Sequence, residues 1–182
     1  MKNQLVLIHG DHASSQDNWL PYVAKAMKQQ RWDVVSPDIP DSEDLDLDRW
    51  LEFLEGEFEM TENTVLVGHS SGCPVIMSLL EQSEVQIKKA VFVAGFVEDI
   101  GFGVDPILQE EYDWDAIKAN CAEFIFVNAD NDPYNCDDKQ GRVMMDTLGG
   151  TQVIVSGAMH FGTDEYEDEC EEFPLLVKLI ED

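Results

Sequence analysis

Thr64-Val65-Leu66-Val67-Gly68-His69-Ser70-Ser71-Gly72 runs directly into Cys73-Pro74-Val75-Ile76-Met77-Ser78-Leu79-Leu80. An apolar, β-branched run, a glycine-flanked turn and a helix-forming segment read as strand, sharp turn and helix. Such a turn holds a serine in a strained backbone conformation with its hydroxyl above the sheet, so its flanks must be nearly free of side chains. Gly68 and Gly72 meet that demand. The helix that follows aims its unpaired N–H groups and positive dipole end at Ser70, where negative charge develops when a hydroxyl attacks a carbonyl. Pro74 sits in its first turn, where a missing N–H costs little. Gly-x-Ser-x-Gly alone fits any tight polar turn; the flanking strand and helix mark it as a nucleophile elbow.

Outward from this unit, short β-branched runs alternate with longer periodic stretches. Strands are predicted at 4–8, 33–36, 64–67, 89–94, 123–127 and 152–156, and helices at 18–30, 45–57, 71–82, 113–120, 137–148 and 171–181. Continuous apolar strands separated by helices imply a parallel sheet buried on both faces, and right-handed crossovers place helices on either side. The expected architecture is a three-layer α/β/α sandwich around a mostly parallel sheet of about six strands, a single domain spanning 1–182. Asn135 is the expected cap of the helix opening at Asp137, with Gly149-Gly150 as its stop. Ligands of such sheets bind beyond the carboxyl ends of the strands. The loops at 9–17, 68–72, 95–112, 128–135 and 156–163 share that edge.

A serine hydroxyl needs a base within hydrogen-bond reach and a group to orient that base. Of four histidines, His69 lies inside the elbow, where its ring should point away from Ser70 and support packing or a loop. His9 and His12 occupy the loop after the first strand, better suited to an oxyanion hole. His160 follows the last strand on a glycine-flanked loop and is the candidate base. The orienting acid is sought in Asn128-Ala129-Asp130-Asn131-Asp132-Pro133-Tyr134. Asp132 is preferred because the following proline biases its backbone away from helix; Asp130 is the alternative, with satisfaction of loop amides as its other role. The order Ser, Asp, His is that of α/β-hydrolases. Backbone N–H groups of Ser71 and Asp11 are the candidate oxyanion donors, the Asp11 carboxylate being unwelcome there unless it points outward. Trp19, Phe96, Phe102, Trp114 and Phe161 are candidate pocket walls, and each suits ordinary core equally well. His9, Asp11 and His12 would need a further carboxylate to hold a metal, and the chemistry requires no metal or organic cofactor.

Thirty-eight acidic residues against 11 basic ones give a formal net charge of −27. Nucleic acid and anionic membranes are poor partners for that surface. The acids concentrate in 38–48, 52–62 and 164–172, where solvated faces and adaptation to high salt are the two readings. Cys73, Cys121, Cys136 and Cys170 form no CxxC pair, which favours reduced thiols over a disulfide framework. The apolar run Leu5–Ile8 is too short for a signal peptide or a membrane span, and a cytoplasmic location is expected.

Gly-His-Ser-Ser-Gly, Asp132-Pro133-Tyr134 and the Gly157-Ala158-Met159-His160-Phe161 stretch together resemble the small serine hydrolases related to retinoblastoma-binding protein 9 and bacterial YdeN. Trp19 within Asn18-Trp19-Leu20-Pro21-Tyr22, and Ser36-Pro37-Asp38-Ile39-Pro40, also resemble that family. The resemblance runs from the first strand to the final helix, and it maps Ser70, Asp132 and His160 onto nucleophile, acid and base. Asp11-His12-Ala13 departs from the pattern at the oxyanion loop. The expected reaction is hydrolysis of a small soluble ester or amide through an acyl-enzyme on Ser70. About 25 residues between the fourth and fifth strands allow a small helical cover but no large cap. The rival reading is a hydrolase fold with little turnover that serves as a protein-interaction module, its acidic surface suited to a basic partner.

Overall fold

The computed structural model describes residues 2–101, 106–163 and 169–181, and among them strands and helices alternate. They are β1 (Gln4–Ile8), α1 (Leu20–Gln29), β2 (Asp33–Val35), α2 (Leu47–Glu57), β3 (Thr64–His69), α3 (Gly72–Gln82), β4 (Lys89–Val93), α4 (Trp114–Ala119), β5 (Phe124–Ala129), α5 (Asp138–Leu148), β6 (Thr151–Val155) and α6 (Pro174–Glu181). Every pairing is parallel and the strand order is β2-β1-β3-β4-β5-β6. The chain reverses its direction of travel across the sheet after β2. With right-handed crossovers, that reversal sends α1 to one face and α2 through α5 to the other. The packing agrees: α1 contacts α6, while α2 meets α3, α3 meets α4, and α4 meets α5.

β1, β3, β4 and β5 are buried almost throughout, as expected of β-branched runs covered on both sides. Phe92, Phe124 and Phe126 stack across β4 and β5, with the Phe92 and Phe126 centroids 5.4 Å apart. Among the described residues the one fully buried cation, Lys89, donates from Nζ to the Leu179 carbonyl at 2.8 Å near the end of α6 and pairs with Glu123 at 3.2 Å. A helix C-terminus is a favourable place for such a charge. It ties the sheet to the last helix.

Three helices are capped by aspartates, and at α5 the capping residue differs from the one expected. Asp46, Asp113 and Asp137 cap α2, α4 and α5 by accepting from the amides of Arg49, Ala116 and Lys139. Asn135 does not cap α5: it sits at φ +61° and donates its side-chain amide to the Ile100 carbonyl at 2.8 Å. Asp137, one residue before the helix, reaches the free amides in its place. Gly149 closes α5 at φ +80°.

No helix among the described residues is long and apolar enough to cross a membrane. None of the four cysteines is in a disulfide. Burial pushes the Cys121 thiol up to about 12 and the Cys73 thiol higher still.

Candidate active site

β3 extends two residues past its apolar run, because Gly68 and His69 continue the pairing with β4 opposite Phe92 and Val93. The chain then turns within Ser70, which sits at φ +51°. A non-glycine residue held there is strained and persists only where its surroundings fix it. Here the Ser70 amide donates to the Val93 carbonyl at 3.0 Å and its carbonyl accepts from Cys73 at 2.9 Å. A Cβ on Gly68 would lie 2.8 Å from the Gly72 backbone, and one on Gly72 would lie 2.6 Å from the Ile8 carbonyl oxygen. Both elbow glycines are therefore required by close backbone approach. α3 carries no side-chain cap and is buried from Gly72 to Leu80. Its N-terminal dipole end consequently faces Ser70 without a competing anion of its own.

The loop bearing His160 is held by three consecutive residues following β5. Asp130 accepts from the Ser156 hydroxyl at 2.7 Å and the Gly157 amide at 2.8 Å. Those bonds hold the Asp130 carboxyl below its ordinary range. Asn131 accepts from the Met159 amide at 3.0 Å. Asp132 places Oδ2 2.8 Å from His160 Nδ1 and accepts the Tyr134 amide on Oδ1 at 2.9 Å, an Asx-type turn across Pro133. Both Asp132 and His160 are buried. An imidazole whose Nδ1–H donates to a carboxylate leaves Nε2 as its proton acceptor.

His69 supports the same loop, its Nε2–H donating to the His160 carbonyl at 2.8 Å. Complete burial, aided by the neighbouring His160, lowers the His69 pKa to about 3, so the ring is neutral. Trp19 packs edge-on against it with centroids 5.7 Å apart. His9 is also buried and neutral, its pKa lowered chiefly by desolvation. Its Nδ1–H donates to the Gly10 carbonyl at 2.7 Å and its Nε2 accepts the Ile39 amide at 2.9 Å. With both ring nitrogens engaged, His9 does not converge with Asp11 and His12 on a metal.

Ser70, Ser71, Asp11 and His160 line one cavity of about 900 Å³, within the range of small-molecule sites. The amides of Asp11 and Ser71 carry no hydrogen bond among the described residues. The Asp11 carboxylate is turned to accept from the Ser71 hydroxyl at 3.3 Å. Of the expected aromatic walls, Phe96 lines the cavity, whereas Trp19, Trp114 and Phe161 do not. Trp19 is buried behind His69, Phe161 stacks on Phe173 at 5.2 Å, and Trp114 packs against Tyr112 at 5.1 Å. Phe102 lies outside the described residues. Leu45, Ile100 and Tyr134 supply apolar wall that sequence reasoning missed. Tyr134 stands edge-on to the His160 ring at 4.7 Å; the Asp132-Pro133-Tyr134 turn was the available signal.

The parallel sheet with this strand order, the glycine-flanked elbow and the Asp–His pair on the carboxyl edge define an α/β-hydrolase. The Serine hydrolase family model matches residues 5–178, and the chain belongs to that family. It is 25% identical to the serine hydrolase RBBP9 of Rattus norvegicus over 154 residues, 82% of this chain and 81% of that protein. It is 32% identical to YdeN of Bacillus subtilis (strain 168) over 103 residues, 55% of this chain and 54% of that protein. The crystal structure of the B. subtilis ydeN gene product superposes with a TM-score of 0.90 at 23% identity, covering 99% of this chain and 97% of that one.

Proposed function

We propose that this serine hydrolase cleaves a small, soluble carboxylic ester or amide through an acyl-enzyme on Ser70. The observation that carries the reading is the 2.8 Å contact between Asp132 Oδ2 and His160 Nδ1 beside a cavity that also exposes the strained Ser70. His160 Nε2 takes the serine proton as Oγ attacks the carbonyl, and Asp132 holds the tautomer and balances the imidazolium. The amides of Ser71 and Asp11 stabilise the oxyanion. His160 then protonates the leaving group, and the same base activates water to release the acid and restore Ser70.

Among the described residues, the cavity wall carries Asp11 and Asp17 but no lysine or arginine. Repulsion from these carboxylates disfavours substrates whose acyl part bears a negative charge, and uncharged or cationic acyl groups fit better. The test is a fluorophosphonate probe with the adduct located by peptide mass spectrometry. Labelling confined to Ser70 and lost in Ser70→Ala supports the proposal. A folded protein that takes no label overturns it and favours an interaction module on the same fold.

A further inference from the structure

We propose that Asp132, Cys136 and His160 form a binding site for a thiophilic divalent cation such as zinc or cadmium, and that occupation switches the hydrolase off. One ligand atom from each side chain lies within 4.8 Å of the others, and all three residues are buried. Among the described residues, no other trio of histidine, cysteine or acidic side chains converges this closely. Cys136 and His160 line the cavity, which provides a route for the ion.

The donor set is a thiol, an imidazole and a carboxylate, the combination that a borderline-soft cation prefers over magnesium or calcium. Metal–ligand distances of about 2.1–2.3 Å in tetrahedral geometry place neighbouring donors roughly 3.4–3.6 Å apart. The Asp132–His160 contact, now 2.8 Å, opens slightly to admit the ion, and Cys136 closes inward. A fourth position remains for water. The charge of −27 concentrates cations around the molecule.

The proton balance explains the inhibition, which rests on the catalytic reading above. Ligation through Nδ1 moves the imidazole proton from Nδ1 to Nε2, the thiol releases its proton to solvent, and Asp132 binds as the carboxylate. An imidazole protonated at Nε2 cannot accept the serine proton. The oxidation state of every atom is unchanged.

Cadmium chloride titrated into the purified protein should produce a thiolate-to-cadmium ultraviolet charge-transfer band that saturates at one equivalent. The band should survive in Cys170→Ser and Ser70→Ala and vanish in Cys136→Ser and Cys136→Ala. Ester hydrolysis, measured against each variant's own cation-free rate, should fall by about 100-fold or more in the wild type, as expected for loss of a general base. It should recover with a chelator and be insensitive to cadmium in Cys136→Ser. No band, or a band that persists without Cys136, overturns the site; a band with undiminished hydrolysis overturns the switch. Independently of any variant, X-ray absorption of the zinc-loaded wild type should show a sulfur scatterer at about 2.3 Å beside nitrogen and oxygen, and a shell without sulfur overturns the proposal. A wild type that hydrolyses no ester before cadmium is added refutes the catalytic reading while the band still decides the site.

Discussion

Replacing Asp132 by Asn isolates the orienting role proposed for the carboxylate, because the surrounding hydrogen bonds dictate which way the new amide faces. Oδ1 of Asp132 accepts the Tyr134 amide at 2.9 Å and Oδ2 faces His160 Nδ1 at 2.8 Å. In Asp132→Asn the carbonyl oxygen stays with Tyr134, since the flipped amide would set NH₂ against N–H. The NH₂ group then faces Nδ1, which must become an acceptor, and the ring proton moves to Nε2. The serine loses its base while the volume and most contacts of the site persist. We expect kcat/KM to fall by about 10³–10⁴, the scale of a triad caught in the wrong tautomer, or roughly 4–5.5 kcal/mol of transition-state stabilisation. Asp130→Asn, whose carboxylate is exposed and bound to Ser156 and Gly157, should cost less than about tenfold, a loop adjustment rather than loss of a base. The assay is hydrolysis of an activated ester, with circular dichroism melts to confirm folding. An Asp130→Asn defect larger than that of Asp132→Asn, or an Asp132→Asn enzyme within tenfold of wild type, refutes the reasoning.

Gly72→Ala drives a methyl group to 2.6 Å from the Ile8 carbonyl and 2.8 Å from that of His9; it should destabilise the protein by about 3 kcal/mol in urea unfolding. Gly56→Ala, with open space around its Cβ in α2, should instead stabilise by about 0.5–1 kcal/mol. Burial holds the His69 pKa at about 3, against about 6.5 in the unfolded chain. Between those values the unfolded chain binds a proton that the folded one does not, so this contribution to stability is present above pH 6.5 and declines as pH falls towards 3. His69→Gln retains an N–H donor but does not titrate. Its loss of unfolding free energy between pH 7 and pH 5 should be smaller than wild type's by about 2 kcal/mol, and equal losses in urea titrations would contradict the assignment.

The strands and helices were legible because their signals are strong: β-branched runs of strand length between periodic segments of helix length. Their ends were less so. β3 continues through Gly68 and His69 because β4 offers partners opposite them, a tertiary cause invisible in residues with weak strand preference. Asn135 and Asp137 are both good caps, and only the course of the turn decides that Asp137 reaches the helix amides while Asn135 reaches Ile100. The pairing of Asp132 with His160 was readable from strand order and the following proline. The cavity wall was not, because an aromatic residue's identity does not reveal its facing: Trp19 and Phe161 lie behind the site, whereas Leu45 and Tyr134 border it. Cys136 read only as one of four reduced thiols, and its closeness to Asp132 and His160 emerges only once the turn after β5 is folded.

The loop bearing His160 hangs from β6, the outermost strand on its side of the sheet, paired with β5 alone and leaving Ile154 half-exposed. The loop bearing Ser70 follows β3, a strand enclosed on both edges and both faces. The two halves of the proposed machinery therefore belong to regions of unequal opening free energy. Fraying of one peripheral strand would carry the imidazole out of register while the elbow remained folded, so loss of turnover would run ahead of global denaturation. Natural variation or engineering that tightens β6 against β5 would then lengthen the working life of the protein without altering any reacting group.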